Sequence, residues 1–373
     1  MVPLAFSVEV LIYAYIFICL SMILFNVACI YLFRHRDKRQ NALCGQYETM
    51  LCGWLADGMP QGAALARLCR RLAGAQHLAA FEEALAWLVR EHPQGATRLL
   101  ADSLPLWEGL MARCLRGEEM KAAYLAFVLA KYRVCAGRPC GALQEGLFAL
   151  LGRKNLYCRE NALRALYASG DADAVARGLR ALSRTGLFHH NKLVTDGLLT
   201  FTGSHGALAQ LLWAQMGELN VELQVAVLNY LRLSTGGYGP QMLALLQDEA
   251  RDDEVRYCAI RYLGRYADTA PQGAAGALRA LLADPDPLRW NYAAIAAAAL
   301  ARYPGPATVA VLKQALHSAN WYVRFNASQS LNDLQVPYLE LVDILNGSDR
   351  YAREMMLYRL EERRAPSKEV KPT

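Results

Sequence analysis

The side chains best suited to catalysis or metal binding are scattered along this chain of 373 residues. No histidine stands in an HExxH motif, in which two imidazoles on one helix face bind zinc. Glu91 and His92 are adjacent, but that order fits the end of a helix better than a metal site. His189 and His190 precede a turn, so a surface position is favoured over a metal site. The seven histidines are His35, His77, His92, His189, His190, His205 and His317.

Cysteines and glycines give no further sign of a reactive site. The ten cysteines include no CxxC pair, and the nearest neighbours are Cys135 with Cys140 and Cys44 with Cys52. Neither spacing is typical of a zinc site or a disulfide framework, so we predict reduced, mostly buried thiols. The turns "SHGALAQ" and "STGGYGP" lack the Lys-Ser/Thr pair of a phosphate-binding loop. We therefore expect no catalytic residue, no metal and no cofactor.

Composition favours helices over strands. Hydrophobic residues make up 54% of the chain, Leu and Ala dominate, and β-branched residues are sparse after the first 30 positions. The net charge of +6 comes partly from Arg34, Arg36, Lys38 and Arg39. The remainder is close to neutral, which argues against a nucleic-acid partner.

The N-terminal segment predicts a membrane anchor. Residues 10–33 contain no charged side chain and end at "RHRDKRQ". As a helix they would span about 36 Å, enough to cross a bilayer core of about 30 Å. Basic residues collect on the cytoplasmic side, so we expect the N-terminus outside and the rest of the chain in the cytoplasm, at the inner membrane. A cleaved signal peptide is disfavoured because no basic region precedes a short apolar core. The "NVAC" at 26–29 resembles a lipoprotein box but lacks its Leu.

Small residues run along one face of this anchor. Ala14, Ser21 and Ala28 are spaced by seven, and Asn26 adds a polar group in the inner half of the span. Such a stripe and a buried amide suit helix–helix packing in the bilayer. The alternative is a solitary anchor that tolerates one asparagine, and the sequence leaves both open.

A repeated unit occupies the rest of the chain. Four arginines follow polar turns at intervals of 33, 35 and 29 residues: Arg256, Arg289, Arg324 and Arg353. The same period reaches back through Glu222, Lys192 and Arg159. An apolar stretch of helical spacing precedes each marker, so each unit is predicted to be two short antiparallel helices. Since no such hairpin buries its apolar face alone, we predict an all-α solenoid of stacked hairpins.

The segment "LLADPDPLRWNYAAIAAAAL" resembles a HEAT-type repeat, in which an Asp-Pro-Asp turn and an arginine precede an alanine-rich helix. The resemblance covers about 152–362. Together with the hydropathy, charge and composition of the rest of the chain, it predicts five segments. They are a transmembrane helix (1–33), a basic juxtamembrane linker (34–45), divergent helical hairpins (46–151), HEAT-like repeats (152–362) and a disordered tail (363–373).

The repeat arginines are predicted to reach neighbouring turn carboxylates, as Asp253 with Arg256 and Asp286 with Arg289. In HEAT-like arrays such contacts form a ladder between repeats, and Arg324 and Arg353 would belong to it. Two positions after the arginine stand amides, namely Asn161, Asn291, Asn326 and Gln224. They form either an amide ladder between helices or a polar stripe on the concave surface.

Aromatic residues concentrate in the last four repeats. Many must be core, but Tyr and Trp beside Arg are also typical of protein-binding surfaces. We predict a partner-binding surface on the second helices of these repeats, made of Tyr257, Trp290, Asn291, Trp321, Tyr322, Phe325 and Asn326.

The predicted function is a non-enzymatic scaffold that binds an integral membrane protein. The segment "DRYAREMMLYRL" is similar to the ending of bacterial membrane-anchored HEAT proteins that accompany processive glycosyltransferases of envelope or exopolysaccharide synthesis. That resemblance implies a glycosyltransferase partner. The alternative is a HEAT-like lyase or cofactor-handling protein, although the His-Glu pair that holds iron in some of them is absent.

Overall fold

The computed structural model describes residues 8–364, and all regular structure within that range is helical. The all-α fold of stacked hairpins is therefore confirmed. The predicted disordered tail, 363–373, lies outside the described residues except for its first two, which still belong to the last helix.

The helices of the described range are numbered in chain order. They are α1 (Val8–Asp57), α2 (Gly62–Leu72), α3 (Ala75–Glu91), α4 (Pro93–Asp102), α5 (Leu104–Cys114), α6 (Glu119–Lys131), α7 (Gly141–Leu151), α8 (Leu156–Ser169), α9 (Ala172–Arg184), α10 (Asn191–Leu199), α11 (His205–Ala214), α12 (Val221–Ser234), α13 (Gly239–Gln247), α14 (Asp253–Arg265), α15 (Ala274–Leu282), α16 (Trp290–Leu300), α17 (Pro306–Ala315), α18 (Trp321–Asp333), α19 (Val342–Leu345) and α20 (Arg350–Arg364).

The first compact unit ends at Ser169. Its helices α1, α3, α6 and α8 pack side by side in one layer, while α2, α5 and α7 form a second layer. Buried Phe81 and Trp107 fill the space between them. The unit extends one helix beyond the division at residue 151 that the repeat marker suggests, because α8 packs against α6 and α7.

The second compact unit begins at Gly170. Helices α10, α12, α14, α16, α18 and α20 lie side by side, and α11, α13, α15, α17 and α19 each pack against the helix that follows them. This is the predicted stack of hairpins. Small residues allow close approach: a Cβ atom added at Gly264 on α14 would lie 2.9 Å from the Cα of Ala299 on α16.

Polar side chains at the turns start the second helix of each hairpin. Asp252 accepts a hydrogen bond from the backbone N–H of Glu254, Asp286 from that of Leu288, and Asn320 from that of Tyr322, each at 2.9 Å. The first N–H groups of a helix have no partner within it, so these caps define where each helix begins.

Helix α1 corrects the predicted juxtamembrane linker. It continues without a break for 50 residues, so 34–45 is not a separate connection but the middle of this helix. Charged side chains end an apolar run without ending a helix, because Arg, Lys and Gln are themselves good helix formers. Further along, Tyr47 and Leu51 are 1% and 0% exposed and belong to the core of the first unit.

Candidate functional site

The repeat arginines bind backbone carbonyls of their own turn. Arg324 donates from Nη1 to the carbonyl oxygens of Ser318 and Ala319, at 2.6 and 3.1 Å. Arg353 donates in the same way to Gly347 at 3.0 Å. The last carbonyls of a helix lack partners, and a guanidinium offers several donors to satisfy them.

The predicted ladder pairs are therefore wrong. Arg256 donates from Nε to the carbonyl of Leu246 at 3.2 Å, while Asp253 accepts from the hydroxyl of Tyr292 at 2.6 Å. Asp286 caps its helix, and Arg289 instead donates to Asp284 Oδ2 at 2.8 Å. Arg256 thus binds a carbonyl of its own turn and Arg289 binds a carboxylate of its own turn, so both arginines stabilise the turn in which they lie.

Two of these arginines also contact the next repeat, because their guanidinium groups lie over the faces of its tyrosine rings. The guanidinium of Arg256 lies 4.8 Å from the centre of Tyr292, one repeat further on, and that of Arg324 lies 5.2 Å from Tyr351. Cation–π contacts of this kind contribute about 0.5–2 kcal/mol, more when they are desolvated. Each arginine thus joins its own turn to the following repeat.

Replacing Arg256 with alanine is expected to destabilise the second unit by about 2–4 kcal/mol, since a buried charge-assisted hydrogen bond and a cation–π contact are both lost. Arg302 provides the matched control. Its side chain is 60% exposed and its guanidinium lies 3.7 Å from Asp268, so Arg302→Ala should change stability by about 0.5 kcal/mol or less. Urea unfolding followed by circular dichroism measures both, and equal shifts would contradict the assigned role.

The amides form a ladder between helices. Asn161 donates to the carbonyl of Ala123 at 2.9 Å, and Asn326 donates to that of Ala294 at 2.8 Å, each on the neighbouring helix. Gln224 instead donates to Leu219 in its own turn at 2.7 Å. Because its amide is used in packing, Asn326 serves the structure at this position.

Tyr257 does not belong to an outer surface as predicted, whereas Asn291 is partly exposed and its place in a binding surface stays a prediction. Tyr257 is 8% exposed and packs against Tyr292 with ring centres 4.7 Å apart. Burial raises the pKa of Tyr257, and a hydrogen bond with Asn291 opposes that rise. The helical pattern turns these two side chains towards the adjoining repeat.

The other predicted aromatics form one continuous surface. Trp290 on α16 stacks on Tyr322 of α18 at 5.7 Å and 21°. Trp321 stacks on Phe325 at 4.8 Å and 25°, and meets Tyr322 edge-on at 5.2 Å. The first residues of α16 and α18 thus bring together side chains that lie about 31 positions apart in the sequence.

Helix α20 extends this surface with two residues that the sequence reasoning did not assign to it, Tyr351 and Tyr358. The ring of Tyr351 covers Arg324, and Tyr358 lies 5.4 Å from the guanidinium of Arg359. Their exposed fractions are 67% and 58%, against 49% for Trp321 and 57% for Tyr322. We call the set the aromatic row: Trp290, Trp321, Tyr322, Phe325, Tyr351 and Tyr358.

A buried arginine packs against the aromatic row on its side towards the protein interior. Arg359 is 4% exposed, and its guanidinium lies 4.5 Å from the centre of Phe325. Nη1 donates to Glu362 at 2.8 Å, while Nε and Nη2 have no hydrogen-bond partner. Arg359 lies outside the repeat marker, so periodicity gave no signal for it.

A groove of about 680 Å³ adjoins the row at Trp290. It runs between the turns that precede α16 and α18, with Asp284, Asp286 and His317 along its wall. His317 Nδ1 lies 2.8 Å from Asp349 Oδ2, and this hydrogen bond holds the pKa of Asp349 below its usual range. We call this cavity of about 680 Å³ the turn groove.

Several histidines and cysteines pack within the fold. His189 is 2% exposed, so the surface position predicted for it is wrong. His77 contacts the hydroxyl of Tyr47 at 3.0 Å, and His190 accepts from the backbone N–H of Lys192 at 3.1 Å. Burial raises the pKa of Cys135, which is hydrogen-bonded to Cys140. Within residues 8–364 no three His, Cys, Asp or Glu side chains are grouped so as to hold a metal ion.

The apolar half of α1 is exposed at nearly every position whose side chain the structure describes. This is the one helix of the described chain long and apolar enough to cross a bilayer, with a mean hydropathy of 2.5 over its most apolar window, and none of that window is buried. Ala14, Ser21, Asn26 and Ala28 are all exposed. Their role in packing against another helix stays a prediction.

Comparison with known proteins identifies the repeats of the second unit. Residues 239–332 match the HEAT repeats family, which includes the segment "LLADPDPLRWNYAAIAAAAL". No curated protein matches the chain. A crystal structure of a Kap121p mutant is similar at 15% identity with a TM-score of 0.47, over 79% of this chain and 36% of that one. This chain thus spans little more than a third of the length of that protein.

Proposed function

We propose that this protein is a non-catalytic scaffold, anchored in a membrane by α1, which binds an integral membrane protein through the aromatic row. The observation that carries the proposal is the row itself. Large, partly exposed aromatic side chains are joined across α16, α18 and α20 on a helical-repeat framework.

The chemistry of the row is that of a protein-binding surface. Trp, Tyr and Arg are the residue types that contribute most binding energy at interfaces. Stacking already restrains Trp321 and Tyr322, so little side-chain entropy is lost when a partner covers them. The turn groove continues the surface and adds the exposed carboxylate of Asp286, which suits basic or amide groups of a partner.

The anchor supports a partner in the same membrane. An exposed apolar half-helix needs a lipid or protein environment, and the basic residues from Arg34 onwards favour an orientation with the repeats in the cytoplasm. Two molecules confined to one membrane meet at a high effective concentration, so the row itself need not bind tightly. Ala14, Ser21, Asn26 and Ala28 would add helix–helix packing in the bilayer.

A processive glycosyltransferase of envelope or exopolysaccharide synthesis is the proposed class of partner. It rests on the resemblance of "DRYAREMMLYRL", 349–360. This segment forms the start of α20 and contributes both Tyr351 and Tyr358 to the row. The part of the chain that suggests the partner is therefore also part of the proposed surface.

Co-purification tests the proposal. The full chain, tagged at its C-terminus and extracted in mild detergent, is expected to recover one integral membrane protein in stoichiometric amount by mass spectrometry. The control is the chain that begins at Arg34. Recovery of no membrane protein would contradict the scaffold function. A bound pigment or metal in the absorbance spectrum would favour the HEAT-like lyase alternative.

A further inference from the structure

A second groove, of about 340 Å³, lies in the first unit between α1 and α3. Arg36, Arg39 and Gln40 line it on α1, and Ala75, Gln76 and Ala79 line it on α3. We call it the α1–α3 groove. The spacing of Arg36, Arg39, Gln40 and Leu43 places them on one face of α1, the face that meets α3.

The groove begins three residues after the apolar run ends at Phe33. Arg36 lies about 4.5 Å and Arg39 about 9 Å beyond Phe33 along the helix axis. The polar layer on each side of a bilayer core is about 5–8 Å thick. If α1 crosses the membrane as proposed above, on which this inference rests, Arg36 lies at the depth of the phospholipid headgroups. Arg39 lies at their outer edge, and its side chain can reach back to them because helix side chains tilt towards the N-terminus.

The two positive charges of this groove, on Arg36 and Arg39, are not neutralised by ion pairs within the protein. Neither Arg36 nor Arg39 forms an ion pair with any described residue, and both are exposed. The nearest interaction of Arg36 is with the ring of Phe33, at 5.5 Å. Asp37 also lines the groove, which leaves one net positive charge from the side chains.

Helix α3 adds to the positive potential. It has 17 residues, begins after Gly74, and no side chain caps its first N–H groups. Ala75 and Gln76 at its start are exposed. Guanidinium groups and the start of a helix both favour phosphate oxygens. The charge of Arg39 also reaches α3, since Arg71 and Arg39 lower the pKa of His77 in addition to the larger effect of burial.

We propose that the α1–α3 groove binds the phosphate of an anionic phospholipid headgroup, in the membrane leaflet next to Phe33 and the basic residues. Arg36 and Arg39 hold the phosphate oxygens, and the lipid tails lie along the apolar half of α1. Bound lipid would thereby fix the first hairpin of the repeats against the membrane surface.

The chain offers a matched control for the test. Arg34 and Lys38 lie two positions before and after Arg36, so they point away from α3 on the opposite face. Arg36→Ala/Arg39→Ala and Arg34→Ala/Lys38→Ala remove the same charge from the same segment. A diffuse attraction between basic residues and the membrane predicts equal losses for the two pairs.

The experiment titrates the full chain in mild detergent with phosphatidylglycerol, phosphatidylcholine or inorganic phosphate, and counts bound molecules by native mass spectrometry. We expect tight binding of one phosphatidylglycerol, weakened about 30-fold in Arg36→Ala/Arg39→Ala and far less in the control pair. Equal losses in both pairs, or equal binding of phosphatidylcholine, overturn the proposed site. Equally tight binding of inorganic phosphate assigns the groove to a soluble anion and overturns the lipid assignment.

Carbonate extraction of membranes separates this inference from the proposed function. A wild-type chain that carbonate releases is not embedded, and the anchor itself is then wrong. A chain that stays embedded but shows no difference between the two variant pairs retains its anchor and loses only the lipid site.

Discussion

Replacing Trp321 and Tyr322 together with alanine is expected to abolish recovery of the membrane partner while the protein stays folded. Both side chains lie near the centre of the aromatic row, where they contact Trp290 and Phe325. Central aromatic residues at interfaces cost about 2 kcal/mol or more when truncated, so the affinity should fall at least about 30-fold. Quantitative pull-down from detergent extracts measures the loss.

The fold should tolerate this change because both side chains are about half exposed. Tyr338→Ala/Leu339→Ala is the matched control, since it removes two exposed apolar side chains (53% and 84%) from the segment that precedes α19. Circular dichroism melting should be nearly unchanged for both variants. If the control pair loses the partner equally, or the Trp321/Tyr322 pair retains it, the aromatic row is not the binding surface.

Removing residues 1–33 is expected to release the protein from the membrane in folded form, whereas removal through Asp57 should also unfold the first unit. The second half of α1 packs against α3. Tyr47 contacts His77 at 3.0 Å through its hydroxyl and Phe81 edge-on at 5.7 Å. Loss of fully buried Leu51 or Tyr47 costs about 2–5 kcal/mol each, and the shorter deletion retains both.

Membrane fractionation together with hydrogen exchange on α3 and α6 tests these two truncations. The chain that begins at Arg34 should be soluble and show wild-type protection in both helices. The chain that begins after Asp57 should lose protection in α3. A chain without residues 1–33 that still resists carbonate extraction from membranes would contradict the anchor, and unchanged protection without the whole of α1 would contradict its role in the core.

Periodicity predicted the hairpins well because hydrophobic spacing reports which side chains must be buried. The turns at Asp286 and Asn320 and the helices that follow them lie where the repeat pattern placed them. The pattern does not report which atom a long side chain reaches. Arg256 and Arg289 were therefore each paired with the wrong carboxylate, although a turn carbonyl and Asp284 respectively lie within reach.

The candidate surface was predicted in part for a related reason. Trp290, Trp321 and Tyr322 were recognised from residue type and repeat position, which are both visible in the sequence. The burial of Tyr257 depends on how closely α14 approaches α16, and the close approach of Gly264 to Ala299 is not visible in the spacing of apolar residues. The support that Arg359 gives Phe325 joins neighbouring helices, and helical periodicity does not describe contacts between helices.

Because α1 is uninterrupted, the number of residues between its apolar half and the first hairpin fixes the rotation of that hairpin about the helix axis. Each residue added between Phe33 and Tyr47 would rotate the first hairpin by about 100° around the anchor and lift it by about 1.5 Å. A flexible connection would absorb such an insertion, but a continuous helix passes it on in full. The number of residues in this part of the helix thus sets the rotation of the first hairpin about the α1 axis, relative to the segment that would span the membrane.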